Sequence, residues 1–239
     1  MLKRILIASA ALLLSVSHAH AQQPPGFATY LIAFVTQAAE SQPAGRMQEL
    51  RTSHDAHLAG LWKEGLLLAS GPIAEQSTMI EVLNFTGDQR ELIEKRLAEN
   101  PLVRSGVADV AIGPWVAPTG IGDEYRKRSA ANAGAPEKLR TYQLVMLKAV
   151  LGERVTPDEQ RGLLVQLDAM AKAGTLAAAG PVLEGSDLVW IFVFNANAQD
   201  TDALMAANPA VKAGKMIAER HPWTVPEGVL PPGFKVPVQ

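Results

Sequence analysis

Apolar runs and amphipathic stretches alternate in a regular order over residues 30–112. Four runs are rich in apolar and β-branched side chains and predict strands: Tyr30 to Val35, Leu66 to Ala69, Met79 to Phe85 and Val107 to Ile112. Two stretches between them place apolar side chains at three- and four-residue steps and predict helices: Met47 to Lys63 and Asp88 to Ala98. The predicted order is β-α-β-β-α-β, the ferredoxin-like arrangement.

The same order of elements returns in residues 142–219. Its members are Tyr142 to Leu147, Pro157 to Ala173, Leu176 to Ala179, Leu188 to Phe194, Asp200 to Ala207 and Lys215 to Glu219. A ferredoxin-like unit covers one sheet face with helices and leaves the other open. Burial of apolar surface stabilises a protein by about 25 cal/mol per Å². We therefore expect an α+β protein of two tandem ferredoxin-like domains whose open sheet faces pack together as an internal pseudo-dimer.

Three short motifs also occur twice, in the same order and at nearly the same spacing: Gly71-Pro72 and Gly180-Pro181, Asn100-Pro101 and Asn208-Pro209, Pro114-Trp115 and Pro222-Trp223. Solenoid repeats are only about 20–50 residues long, so this match indicates two copies of a whole domain. The predicted domains are residues 22–117 and 140–225, with a linker at 118–139 and a Pro-rich tail at 226–239.

The first 21 residues read as a secretory signal. Lys3 and Arg4 precede a short apolar run, Ile5 to Val16, and Ala19-His20-Ala21 fits a small-x-small cleavage site. We expect export to the periplasm or the medium, with Gln22 as the first residue of the mature chain. The run is shorter than the roughly 20 residues that span a membrane, and no later segment is predicted to cross one.

The charge, the residue composition and the absence of certain motifs argue against several classes of function. The formal net charge is −2, which offers no basic face for nucleic acid. The chain has no cysteine, so thiolate metal sites and cysteine nucleophiles within it are excluded. It also lacks a P-loop, a dinucleotide fingerprint and a Gly-x-Ser-x-Gly elbow. No cofactor is predicted, and a small-molecule ligand is the expected partner.

A set of ordered residues resembles the YCII-related domain family. The residues that carry the resemblance are Tyr30, His54, Gly65, Gly71-Pro72, Asn100-Pro101, Gly106 and Pro114-Trp115. It extends over Thr29 to Val116 and again over Thr141 to Val225. The resemblance implies a dimeric α/β barrel of ferredoxin-like units and a small pocket between sheet and helices that holds a histidine–aspartate pair. Enzymatic roles on small molecules are the usual suggestion for the family.

This chain departs from the family pattern in two ways. The family's Asp-Pro is Asn100-Pro101 here, and an amide can orient an imidazole but cannot stabilise imidazolium as a carboxylate does. In the second copy, the residue at the same distance from the Gly-Pro pair as His54 is Leu163. The second copy has therefore lost the group suited to acid–base chemistry.

His54 and His57 lie three residues apart on one helix face. Histidine suits proton transfer near neutral pH, so His54 is a candidate catalytic acid or base, or a polar anchor, with Asn100 as its orienting partner. Two other interpretations stay open. In one of them, both histidines are ordinary hydrogen-bonded residues. In the other, they bind a metal together with Asp55 or Glu75. No metal is predicted, because the pair lacks a convincing third ligand.

Further ligand-binding residues are predicted around the first Gly-Pro pair. They are Gly71, Pro72, Glu75 and His57. Glu75 follows Pro72 by three residues and has a counterpart in Glu184, which places a carboxylate near the expected pocket mouth. The ordinary alternatives are a solvated turn for Glu75 and close backbone approach for Gly71.

Two functions follow from these residues. The first is a small-molecule site centred on His54, with proton transfer in the isomerisation or elimination of a small cyclic or aromatic compound. The second copy would then complete the barrel as a degenerate half. The alternative is a non-catalytic binding or interaction protein of the cell envelope, in which the tail or the basic stretch Tyr125 to Arg128 makes the contact. The sequence leaves catalysis open.

Overall fold

The computed structural model describes residues 25–38, 43–74, 77–85, 89–131, 136–184 and 187–235. The predicted signal peptide, Glu75 and the last four tail residues lie outside these ranges. The strands within them are β1 Phe27–Gln37, β2 Leu67–Ile73, β3 Thr78–Asn84, β4 Ala108–Pro118, β5 Leu139–Ala149, β6 Leu176–Pro181, β7 Leu188–Phe194 and β8 Met216–Pro226. The helices are α1 Ala44–Lys63, α2 Arg90–Ala98, α3 Pro101–Arg104, α4 Asp123–Ala131, α5 Pro157–Lys172, α6 Ala198–Ala206 and α7 Pro209–Lys212.

The fold is a mixed α+β architecture. Its eight described strands form a single antiparallel sheet. Their order is β4-β1-β3-β2-β8-β5-β7-β6. The last four strands of the sheet therefore follow the same order as the first four, each with its number raised by four. Each half adds a one-turn helix, α3 or α7, that begins at the proline of an Asn-Pro pair. The asparagine caps this turn, since Asn100 accepts a hydrogen bond from the backbone N–H of Leu102.

The sheet curves until its ends almost meet. At one junction β2 pairs with β8 through Ile73 and Trp223. At the other, a bridge joins Trp115 to Val182 beside β6. The two junctions match, so the eight strands make a nearly closed barrel in which each half supplies one side of both seams.

Tryptophan and glycine build both seams in the same way. Trp223 Nε1 donates to the carbonyl oxygen of Gly71 at 3.2 Å, and Trp115 Nε1 donates to that of Gly180 at 3.3 Å. A Cβ at Gly71 would collide with the carbonyl oxygen of Thr224, and one at Gly180 would collide with that of Val116. The glycines are therefore required because two backbones approach closely there.

Three apolar clusters fill the part of the molecule that the structure describes. The barrel interior takes side chains from both halves, including Tyr30, Ile80, Trp115, Tyr142 and Trp223. The other two clusters lie between the sheet and the helices, one in each half. The open sheet faces thus bury each other inside the barrel, and the helices cover its outside.

The linker, expected only to connect the domains, contains a helix, and the Pro-rich tail has buried side chains. The linker contains α4, whose Arg126 lies 4.3 Å above the ring of Trp62 and donates to the carbonyl oxygen of Trp62. In the tail, Val229, Leu230 and Phe234 are buried. Apolar side chains every few residues among the prolines explain why this segment packs. Among the described residues, no helix is long and apolar enough to cross a membrane.

Candidate functional site

A cavity of ≈ 350 Å³ lies under the N-terminal half of α1, on the outer side of the first half of the sheet. Its walls are mainly apolar, and one titratable imidazole, that of His54, is buried in them. The lining residues are Val35, Gln37, Met47, Arg51, His54, Asp55, Pro72, Ser77, Thr78, Met79, Leu102 and Ala108. Arg51 and Asp55 are exposed, so the charged groups stand at the mouth of the cavity.

Two local structures position the His54 imidazole. His54 projects from α1 towards the sheet, where it is 3% exposed. Asn100 is fully buried at the start of α3. The Asn100 Oδ1 atom lies 3.1 Å from Nδ1 of His54 and accepts from the N–H of Leu102 at 3.1 Å. The helix cap therefore holds the amide in place, and the amide holds the ring.

This network assigns the protons of His54. Because the backbone N–H of Leu102 is a donor, the Asn100 atom it contacts is the oxygen, and His54 must donate to that oxygen from Nδ1. The neutral ring then carries its lone pair on Nε2, which lies 3.4 Å from the Met79 Sδ atom on the cavity wall. A neutral thioether does not compete for this lone pair as a donor would.

The surroundings favour the neutral ring. Burial lowers the pKa of His54, and the Asn100 hydrogen bond and the charge of Asp55 oppose this only in part. An acid–base group with a free lone pair near neutral pH is what proton abstraction or hydrogen-bond capture requires.

The remaining predicted residues are distributed between this cavity and other places. Pro72 lines the cavity, whereas Gly71 belongs to the β2–β8 seam and serves close backbone approach. His57 is absent from the cavity lining and is half-buried; burial lowers its pKa, followed by the charge of His54. Glu75 lies outside the described residues. Its counterpart Glu184 is exposed and forms an ion pair with Arg90 at 2.6 Å.

The metal interpretation gains no ligand set from the described part of the chain. No group of three or more histidine, aspartate or glutamate side chains gathers there. Asp55 lies at the cavity mouth with His54 inside, while His57 is elsewhere on the helix.

The second half fills the equivalent space with apolar side chains. Strand register equates Met79 with Trp190, because Pro72 pairs with Met79 and Pro181 pairs with Trp190. Leu163, in place of His54, is buried in the outer cluster of the second half, against which Trp190 packs. The Trp190 ring also stacks on Phe192 with centroids 5.6 Å apart.

Two residues near the His54 site were missed by the sequence analysis. Met79 reads as one apolar position in a strand run, and only the fold places its sulfur against His54. Glu81 is fully buried in β3. Its signal was available, since Glu81 is a single charge within the apolar run Met79 to Phe85, and the second copy has no charge in Leu188 to Phe194.

Solved structures of known proteins resemble this fold at low identity. One is a protein assigned as a chlorite dismutase, with a TM-score of 0.48 and 9% identity over 85% of this chain and 94% of that one. Another is a heme-binding protein from Thermus thermophilus, with a TM-score of 0.46 and 14% identity over 85% and 93%. A third is a siroheme decarboxylase, with a TM-score of 0.45 and 10% identity over 83% and 71%.

These similarities assign no function to this chain, because the identities and TM-scores are too low. No protein-family model matches the chain, and no curated protein sequence matches it significantly. The description of the fold rests on its own strand order and seams.

Proposed function

We propose that the first half of the barrel binds a small molecule in the cavity beneath α1 and that Nε2 of His54 is its principal polar contact. The observation that carries this proposal is the hydrogen bond from Nδ1 of His54 to Asn100, which leaves Nε2 as an acceptor on the cavity side. A neutral buried imidazole with one nitrogen satisfied and the other facing a cavity is a prepared acceptor site.

The cavity walls define the kind of ligand. A volume of ≈ 350 Å³ suits a compact molecule. Val35, Met47, Pro72 and Met79 offer apolar contact on several sides, so the body of the ligand is apolar, cyclic or aromatic. One N–H, O–H or acidic C–H group of this ligand meets His54, and any charged group faces the exposed mouth.

The chemistry that fits is proton transfer. Neutral His54 accepts a proton at Nε2 while Asn100 keeps the ring fixed through Nδ1. The imidazolium then returns the proton to another atom of the same molecule, as in isomerisation, or gives it to the group that departs with its bonding electron pair, as in elimination. Asn100 lacks a negative charge, so the imidazolium is a transient state rather than a resting one.

The proposal includes the origin of the two halves. We infer that they are two YCII-like ferredoxin-like domains, at 22–117 and 140–225, and that the second is a degenerate copy that completes the barrel. The repeated strand order and the matched seams support this. Export rests on the N-terminal pattern, and mass spectrometry of the processed protein should find Gln22 at its N-terminus.

The experiment that tests the site compares the wild-type chain with His54→Gln in a ligand screen. A thermal-shift panel of small aromatics, lactones and organic acids is expected to contain a stabilising compound for the wild type. A ligand at about 100 times its dissociation constant adds roughly 2.7 kcal/mol to the free energy of unfolding. His54→Gln should remove most of that gain.

Two further variants sharpen the screen. Met79→Trp copies the second half and should block the cavity while keeping His54. His221→Gln changes a histidine on β8, outside the cavity lining, and should leave binding intact. A compound that binds His54→Gln and Met79→Trp as tightly as the wild type would place the site elsewhere and overturn the proposal.

The cell-envelope interaction function gains no support from the described part of the tail. Val229, Leu230 and Phe234 pack into the protein instead of being presented to a partner. We therefore keep small-molecule binding as the proposed function.

A further inference from the structure

Arg51 is an exposed arginine that lines the His54 cavity. Within the described part of the chain, its guanidinium group makes no ion pair and no hydrogen bond. Arg46, earlier on α1, shows the usual behaviour of a surface arginine, since it pairs with Glu49 at 3.2 Å. The N–H donors of Arg51 are therefore available at the mouth of the cavity.

Asp55 is the carboxylate closest in sequence that could neutralise Arg51. The two residues lie four apart on α1, a spacing at which opposite charges can meet, and both line the cavity, yet they form no ion pair. Burial lowers the pKa of His54 and the charge of Asp55 opposes this, so the Asp55 carboxylate acts on the imidazole instead. Arg51 is left as a cation without a partner beside the cavity.

The cavity wall holds a second donor that is weakly used. Gln37 ends β1, and its Nε2 atom donates to the thioether sulfur of Met47 at 3.8 Å. A thioether is a weak acceptor, so this amide N–H can turn to a stronger acceptor at small cost. Met47 and Arg51 are four residues apart on one face of α1, so Gln37 and Arg51 flank Met47 on the same side of the cavity.

Helix α1 sets the distance between the guanidinium and the imidazole. Arg51 and His54 are three residues apart, roughly 4.5 Å along the helix axis, and share a helix face. Arg51 is exposed, whereas His54 is 3% exposed. The guanidinium therefore lies at the mouth and the imidazole inside, and one compact molecule can contact both.

The second half lacks these polar groups together. Helices α1 and α5 each end at a lysine two residues before a glycine. Strands β1 and β5 have equal length and the same register against β4 and β8. These matches equate three residues of the first half with residues of the second: Arg51 with Gln160, His54 with Leu163 and Gln37 with Ala149. The cation and the amide donor thus accompany the histidine, and the fold does not require them.

We propose that the ligand of the His54 cavity is a carboxylic acid with a compact apolar body, and that Arg51 is its specificity-determining residue. The ligand carboxylate accepts hydrogen bonds from the guanidinium at the mouth, with Gln37 as a further donor. The apolar body lies against the cavity walls and meets Nε2 of His54. A guanidinium suits a carboxylate because its N–H groups form a planar fork. This inference rests on the proposed His54 site and names its substrate class.

The test compares ligands that differ in charge and hardly in shape. Benzoate, phenylacetate and cyclohexanecarboxylate are each titrated beside the primary amide of the same acid, by calorimetry or NMR on the full chain near neutral pH. We expect the acid that binds best to bind about fivefold or more tighter than its amide. Arg51→Gln should weaken that acid by a similar factor and change the affinity of the amide by less than about twofold.

Three further variants separate the guanidinium from general charge effects. Arg51→Lys keeps the charge without the fork and should fall between the wild type and Arg51→Gln. Arg154→Gln removes an exposed arginine of the second half, outside the cavity lining, and should leave both affinities unchanged. Asp55→Asn should tighten the acid, because it removes a like charge from the mouth. A cationic ligand would respond to Asp55→Asn in the opposite direction.

Equal affinity for acids and amides, with binding lost in His54→Gln, would overturn the carboxylate inference and leave the proposed site standing. Acid binding that is unaffected by Arg51→Gln, or weakened as much by Arg154→Gln, would also overturn it. If none of these compounds binds, the inference is overturned, while the broader screen described above decides the proposed site.

Discussion

The two halves of the barrel share a framework and differ in what the framework encloses. Each half keeps the asparagine that caps its one-turn helix, the Gly-Pro strand and the tryptophan that bonds across the seam. Between helix and sheet, the first half holds His54, Met79 and Glu81, whereas the second half holds Leu163, Trp190 and Phe192. The framework residues thus explain the fold, and the three that differ mark the candidate site.

The two capping asparagines differ in how completely their amide groups are hydrogen-bonded. In the second half, Nδ2 of Asn208 donates to Gln166 at 3.1 Å, so the amide is satisfied at both ends. In the first half, Oδ1 of Asn100 receives two donors while Nδ2 has no partner among the described residues. Full satisfaction accompanies the half with Leu163, and incomplete satisfaction accompanies the half with His54.

The largest effect is expected when the second half receives the charge of the first. Phe192→Glu should lower the free energy of unfolding by about 4 kcal/mol or more at pH 8, since it removes a packed ring and buries a carboxylate. Urea denaturation measures this, with Phe192→Leu as the control for lost volume. A Glu variant as stable as the Leu variant would mean that the second half accommodates charge as the first does.

A smaller effect is expected from Glu81, which should make the free energy of unfolding fall as the pH rises. The unfolded chain releases this proton above pH 4.5, but the folded protein keeps it until about pH 7, so the free energy of unfolding falls between these values and stays lower above them. The loss is about 3 kcal/mol. Glu81→Gln should abolish it, so the stability difference between variant and wild type should grow by this amount from pH 4.5 to 8.

Urea titrations at several pH values check the Glu81 prediction. A constant difference between Glu81→Gln and the wild type across this range would show that Glu81 is not a buried acid with a raised pKa.

Removal of the second-half partner amide should have a moderate effect. Gln166→Ala leaves Nδ2 of Asn208 buried without its acceptor and should cost about 1–2 kcal/mol. Gln160→Ala removes an exposed amide from the same helix and serves as the control. Equal losses in the two variants would indicate that the Asn208 bond contributes nothing beyond helix propensity.

The smallest expected effect is a gain in the free energy of unfolding. His57→Gln places an amide where the second half has Gln166, and its oxygen can accept from Nδ2 of Asn100. We expect a stabilisation of about 0.5–1 kcal/mol by thermal or urea unfolding. His57→Leu supplies similar bulk without an acceptor, so an equal gain in that variant would attribute the effect to packing alone.

Much of the architecture was readable from the sequence because it depends on local patterns. Strand and helix periodicity predicted the order of the main elements in both halves, and the structure has that order. The exceptions are the one-turn helices α3 and α7, the helix in the linker and the buried tail. Their packing depends on distant partners such as Trp62, which a local pattern does not reveal.

The candidate site was predictable only where it followed the repeat. Comparison of the copies singled out His54 against Leu163, and the family resemblance suggested Asn100 as its partner. The same comparison, continued along the third strand, would have found Glu81 as a charge that the strand Leu188 to Phe194 lacks. Met79 carried no such signal, since its role depends on a contact of 3.4 Å between α1 and β3.

The sequence by itself determined that two similar halves exist, that each forms strands and helices in one order, and that the position of His54 in one half is a leucine in the other. These properties follow from periodicity and residue identity, which act over a few residues. The tertiary structure decided which ring nitrogen of His54 carries the proton, that Gly71 belongs to a seam, and that Glu81 is buried beside the site. Those properties depend on atoms brought together from distant parts of the chain, whose burial and hydrogen bonding exist only in the folded protein.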